Sequence, residues 1–249
     1  MSSKFKERSL LGELLDSPEV PEELLVRNLC ELDFLNRKSG GHRVSLEGIR
    51  MLLKEKRKIY HIVDLGCGSG DLLRYIADWA FKNRFNVQLT GVDVQPGAIS
   101  YLKEKSAGYP EISGVTADYK TYLNEHSHKD IIVCSLFCHH LNNKELPWLL
   151  NKLNKQSDSG FVINDLQRNP MAYYAAAAMT RILGGSTLSR HDGPVSVLRG
   201  FKKKELQVLF QDAGIKKYLI VRRPFFRFLA VGGKRFRDIE HTKLKDDEA

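Results

Sequence analysis

The sequence predicts an α/β protein: a seven-stranded, mostly parallel sheet with helices on both faces and an antiparallel hairpin at its C-terminal end. Three observations predict it. From Ile59 onward, short β-rich runs alternate with amphipathic segments of helical length. The first of these runs ends in an acid and a glycine cluster, Asp64-Leu65-Gly66-Cys67-Gly68-Ser69-Gly70, and passes straight into a helix-forming segment. The last two β-rich runs, 215–221 and 225–231, are joined only around Arg222-Arg223-Pro224, a hairpin signal.

Composition fits that class. The chain has 249 residues and ordinary hydrophobic content, enough for one domain with a sizeable core. No run of about 18 apolar residues suggests a membrane span. The N-terminus interrupts its leucines with charges, unlike a signal peptide. Four scattered cysteines form no CxxC pair, so reduced thiols and a cytoplasmic location are expected. The net charge of +9 permits a nucleic acid or an anionic membrane surface as partner without requiring either. The excess is dispersed over 50–58, 202–204, 222–223 and 234–237, as solvated faces usually are.

Taken in order, residues 1–17 read as a mobile or helical arm. Pro21 opens a helix with Leu24, Leu25, Leu29, Leu32 and Leu35 near helical spacing, and Ser39-Gly40-Gly41 breaks it. Ser45 is expected to cap a second helix carrying Leu46, Ile49, Leu52 and Leu53, with the basic run 54–58 on its last turn. These two helices form an N-terminal helical cap, 1–58. Strands come next at 59–65, 86–94, 112–116, 130–136 and 160–166, with helices between them. After the fifth strand, a helical insertion at 167–200 begins with an Ala-rich helix, 170–183, and continues through polar and turn residues. A helix at 202–213 and the hairpin complete the main domain, 59–233, and 234–249 is a charged tail.

The glycine cluster is the strongest functional signal. Glycine admits close backbone approach, and a helix N-terminus offers free N–H groups. A phosphate-cradling loop needs Gly-Lys-Ser/Thr, which is absent here. A dinucleotide fingerprint needs a small residue where this chain has Asp71. The remaining pattern, Asp-x-Gly-x-Gly-x-Gly, resembles motif I of the class I (Rossmann-like) S-adenosylmethionine (SAM) methyltransferases. The resemblance covers roughly residues 59–231 and extends to bacterial small-molecule enzymes of the quinone and polyketide-tailoring type. It implies SAM as cofactor, leaving as S-adenosylhomocysteine. It also implies a binding set of Asp64, Gly66, Cys67, Gly68 and Gly70 in the loop, Asp93 and Val94 after the second strand, Asp118 and Tyr119 after the third, and Ser135 at the end of the fourth.

The acceptor is read from the segment after the fourth strand. Base-amino methylases carry an Asp/Asn-Pro-Pro-aromatic motif there; this chain has Phe137-Cys138-His139-His140-Leu141, which resembles small-molecule enzymes. His139, His140 and, in the insertion, His191 are the candidate catalytic bases, since imidazole titrates near neutrality. Asp165, Arg168 and Tyr173 are candidates to shape the acceptor pocket. The expectation is O-methylation of a small aromatic (phenolic, polyketide-like) or lipid-like acceptor. Alternatives are C-methylation of a quinone precursor, an RNA methyltransferase, or a non-catalytic SAM-binding protein. No metal is expected. The chain is expected to be a monomer or homodimer, with peripheral membrane contact open.

Overall fold

The structure is a computed structural model that describes residues 3–17, 19–126, 129–182 and 184–233. The elements run α1 (Glu22–Lys38), α2 (Gly41–Leu52), β1 (Ile59–Leu65), α3 (Asp71–Asn83), β2 (Asn86–Asp93), α4 (Pro96–Lys105), β3 (Ile112–Thr116), α5 (Tyr119–Glu125), β4 (Lys129–Ser135), α6 (Glu145–Gln156), β5 (Ser157–Leu166), α7 (Pro170–Ile182), α8 (Thr187–Arg199), α9 (Lys203–Asp212), β6 (Tyr218–Arg223) and β7 (Arg227–Gly232). The seven strands form one sheet in the order β3-β2-β1-β4-β5-β7-β6. Pairings among β1–β5 are parallel, and β7 runs antiparallel to both β5 and β6. The predicted fold class is what the structure shows. None of the described helices is long and apolar enough to cross a membrane.

The strands are apolar because both faces are covered. On one face, Ile49 and Leu52 of α2, Leu73 and Ile76 of α3 and Leu102 of α4 close over Ile62, Leu89 and Val162. On the other, Leu123 of α5, Leu149 and Leu153 of α6 and Phe210 of α9 close over Val63, Ile132 and Phe161. The strand order reverses between β1 and β4, so the carboxyl ends of these two strands open a crevice at the switch point.

Three local readings need correction. Ser45 is not an N-cap: α2 already begins at Gly41, and Ser45 lies buried within it, donating to Ser135 Oγ (3.0 Å) and accepting from Asn164 Nδ2 (2.9 Å). Gly40 turns the chain at φ +69°, and a Cβ on Gly41 would fall 2.9 Å from Arg227 and Asn36, so the helix starts flush against its neighbours. The basic run 54–58 lies beyond α2, which ends at Leu52. The polar stretch after α7 is a helix, α8, despite Pro194 inside it. Ser186 caps it by accepting from Ser189 N–H, and Gly193 lets it pack close to Thr180 of α7. Residues 234–249, including the charged tail and the 234–237 cluster, lie outside the described residues.

Residues 3–17 do not stand away from the domain. They run as a strap near the carboxyl edge of the sheet. Arg168, buried beyond β5, donates to the carbonyls of Phe5 (3.3 Å), Lys6 (3.1 Å) and Gly200 (2.6 Å) and pairs with Glu205. Asp192 of α8 accepts from the Leu14 and Leu15 N–H groups at 2.8 and 3.0 Å.

Candidate active site

The glycine loop lies flat over the end of the sheet. Gly66, Gly68 and Gly70 take φ values of +70°, +50° and +70°. The N–H groups of Gly66 and Cys67 donate to Val92 O at 2.8 and 3.1 Å, tying the loop to β2. A side chain on Gly66 would overlap the Phe137 ring. Asp93 completes the turn: Oδ2 accepts from Gly68 N–H at 2.9 Å and Oδ1 from Gln95 N–H at 3.0 Å. A carboxylate oxygen has more than one acceptor site, so Asp93 is fixed in place with capacity left for ligand hydroxyls.

Beside this loop lies a cavity of about 310 Å³. It is lined by the loop, the ends of β2 and β4, residues 117–119, and the inner faces of α1 and α2. Asp16, Asp64, Asp71, Asp93 and Asp118 all line it, and among the described residues no lysine or arginine does. Asp64 is 2 % exposed, and its Oδ1 has no hydrogen-bond partner. Burial pushes its pKa well up, reinforced by Asp71 and Asp93. Such a wall attracts a cation and repels a pyrophosphate. The residues therefore fit a sulfonium ligand with an ammonium group and ribose hydroxyls. Asp93 faces the cavity with acceptor capacity to spare, and Ala117, Tyr119, Leu136 and Phe137 give it an apolar wall. The Tyr119 ring meets Phe137 edge-on at 5.4 Å between centroids.

Of the ten residues expected to bind the cofactor, nine line this cavity; Gly70 is not among them and instead turns the chain into α3 against Leu102. Asp118 also caps α5, accepting from Lys120 N–H at 2.8 Å. Sequence reasoning assigned no binding role to His42, at the start of α2. Its Nε2 lies 3.1 Å from Asp71 and 3.5 Å from Asp33, and it makes no directed hydrogen bond. Leu25, Leu29 and Leu32 of α1 also line the cavity, so helical periodicity marked a face that covers ligand as well as core. Asp16 and Gln95 carried no local signal.

His140 and Asp16, in the cavity wall near the Asp93–Gln95 turn, belong to a cluster of acids and imidazoles that extends behind the wall. His139 is buried; its Nδ1 sits 2.7 Å from Asp165 Oδ1, and its backbone N–H donates to Oδ2 at 3.1 Å. Burial would raise the Asp165 pKa, but the charge and hydrogen bond of His139 outweigh it and hold the carboxyl below its usual range. His140 lines the cavity, with Nδ1 2.7 Å from Asp16 Oδ1. Burial disfavours its charged form, yet Asp16 and Glu13 prevail and raise its pKa. Glu13, 7 % exposed, faces both rings. Arg199 donates to the carbonyls of His139 and His140 and holds the strap at Leu11 O.

Of the catalytic and acceptor candidates, only His140 lines the cavity; His139 and Asp165 lie behind its wall, and the others lie outside it. His191 is about half exposed on α8, with Nδ1 2.7 Å from Asp192. Arg168 anchors the strap, and Tyr173 packs edge-on against Phe5 at 5.7 Å.

Residues 62–158 match the family described as a methyltransferase domain. A sequence search of curated proteins finds no match. Among solved structures, the chain is similar to the plantazolicin methyltransferase BpumL in complex with S-adenosylhomocysteine (TM-score 0.62, 17 % identity, covering 86 % of this chain and 97 % of that one). It is also similar to a SAM-dependent methyltransferase from Aquifex aeolicus (0.58, 18 %, 86 % and 98 %). A third is the magnesium protoporphyrin IX methyltransferase ChlM from Synechocystis PCC 6803 with bound S-adenosylhomocysteine (0.53, 14 %, 79 % and 84 %). The glycine loop, the acid-lined cavity and the sheet order agree with that match: residues 62–158 correspond to a methyltransferase domain, set in the fold shared with these SAM-dependent methyltransferases.

Proposed function

We propose that this protein is an O-methyltransferase acting on a hydroxyl of a small aromatic acceptor. The observation that carries the reading is the acid–imidazole cluster in and behind the cavity wall: His139 on Asp165, His140 on Asp16, and Glu13 facing both. SAM supplies an electrophilic methyl on a sulfonium and leaves as the thioether. The chain's task is to align the acceptor oxygen with that methyl and to remove the hydroxyl proton. Asp93 and the glycine loop hold the donor end. His140 stands in the same cavity wall, with Glu13 and His139 behind it, and is the group offered to take up a hydroxyl proton. A phenol suits this arrangement because its pKa of about 10 is already within reach of a modest shift. Two of the similar structures are named for plantazolicin and magnesium protoporphyrin IX, neither a nucleic acid, which supports a small-molecule acceptor.

The test is transfer of labelled methyl from SAM to a panel of phenols, quinols and RNA, with the products resolved by mass spectrometry. Label on a phenolic oxygen is expected. Label on a quinol ring carbon, or in RNA alone, would overturn the reading.

A further inference from the structure

The cluster at the acceptor end has an electrostatic arrangement that its hydrogen bonds do not complete. Nδ1 of His139 is 2.7 Å from Asp165, and Nδ1 of His140 is 2.7 Å from Asp16. A carboxylate only accepts, so each Nδ1 carries a proton, and a cation can occupy Nε2 in place of a second proton. Both Nε2 atoms point at one carboxylate: His139 Nε2 is 3.5 Å from Glu13 Oε1, and His140 Nε2 is 3.9 Å from Oε2. Two imidazole nitrogens thus converge on one carboxylate in a buried place. Glu13 Oε1 has no hydrogen-bond partner, although the residue is more than nine-tenths buried. The Arg199 guanidinium is 3.8 Å from that oxygen, too far for a hydrogen bond, and its Nε donates to His139 O instead, so a buried carboxylate oxygen still lacks a ligand at bonding distance.

The spacing suits a metal ion. Two ligands about 2.1 Å from a tetrahedral centre lie about 3.4 Å apart. The ligand atoms of Glu13, His139 and His140 all fall within 4.8 Å of one another. Each imidazole is backed by a carboxylate on its far nitrogen, which fixes the tautomer and raises its basicity, as metal-binding histidines require. Two imidazoles and one carboxylate are a borderline-soft set that favours zinc-like ions over magnesium or calcium.

We propose that Glu13, His139 and His140 hold a zinc-like divalent cation, with one position open toward the cavity that His140 lines. Its function rests on the O-methyltransferase reading: the cation takes the acceptor oxygen and lowers the pKa of its hydroxyl, and the proton passes to solvent. The strap then has a chemical role, since it supplies Glu13 as ligand and Asp16 as support. The acceptor class narrows to molecules that present an ionisable oxygen to a metal.

The test uses the full chain, stripped with a chelator and desalted, then titrated with Zn²⁺ by calorimetry and with Co²⁺ by visible absorption. One Zn²⁺ per chain and a Co²⁺ ligand-field band are expected. Asp16→Asn keeps all three ligands, weakens the support of His140 and should weaken Zn²⁺ about 10–100-fold; Glu13→Gln removes a ligand and should weaken it more. Circular dichroism and thermal unfolding of each variant report whether the chain is still folded. Absence of Zn²⁺ binding would overturn the site and leave protons on Nε2 to answer the same charge. Binding that survives Glu13→Gln and is lost in His42→Gln would also overturn it, by moving the ion to Asp33, His42 and Asp71. Phenol methylation without Zn²⁺ binding sinks the cation and spares the O-methyltransferase reading. Zn²⁺ binding lost in Glu13→Gln, without phenol methylation, does the reverse.

Discussion

The glycine loop, here the donor end, and the acid–imidazole cluster, here the acceptor end, are built in opposite ways. The donor end is local: the glycine loop lies between β1 and α3, and Asp93 closes it one strand later. Its contacts are largely backbone, and three left-handed glycines set its shape. The acceptor end is assembled from distant parts. Glu13 and Asp16 come from the strap, His139 and His140 from the end of β4, Asp165 from β5, and Arg199 from α8. The donor end therefore withstands changes elsewhere in the chain, while the acceptor end depends on the strap's anchors. A shared cofactor needs only a preserved loop; a particular acceptor needs a particular enclosure.

The largest expected break is at the donor end. Gly66→Ala places a methyl in the Phe137 ring at a left-handed position, so SAM binding by calorimetry should vanish. Stability should fall by about 1–3 kcal/mol, read by denaturant unfolding. Next, Asp93→Ala removes the acceptor of two backbone N–H groups along with the placed carboxylate. At about 1.5–3 kcal/mol for bonds to a charged group, SAM affinity should drop about tenfold to a hundredfold. If either variant binds SAM normally, the donor end is not where the structure puts it.

The acceptor end is tested through its anchor. Arg168→Met releases the strap at Phe5 and Lys6 and leaves Glu205 without its partner. A loss of about 1–3 kcal/mol is expected, discounted for the partial exposure of Glu205. Methyl transfer should fall more than SAM affinity, and equal losses would erase the distinction between the two ends. The smallest effect is predicted for His191→Ala. That ring is half exposed and off the cavity wall, so stability should change by no more than about 0.5 kcal/mol and turnover should hold. A large fall in turnover would bring α8 into the site.

The sequence by itself determined the fold and the donor end. Strand and helix periods dictate which faces are apolar, and left-handed turns demand glycine, so 59–71 could be read without coordinates. Asp64 and Asp93 were legible for the same reason: each lies at the end of a buried strand, where the sheet delivers residues to its carboxyl edge. His139, His140 and Asp165 were singled out by that rule, but Glu13 and Asp16 were not. Only the tertiary structure brought Glu13 and Asp16 to them, because the strap has no periodicity and is held by single side chains such as Arg168, Asp192 and Arg199. The helix α8 escaped for a related reason: Pro194 and the polar residues around it oppose helix locally, and packing against α7 outweighs that preference. Local backbone chemistry is written in adjacent residues, whereas an enclosure made of distant side chains exists only once the chain has folded.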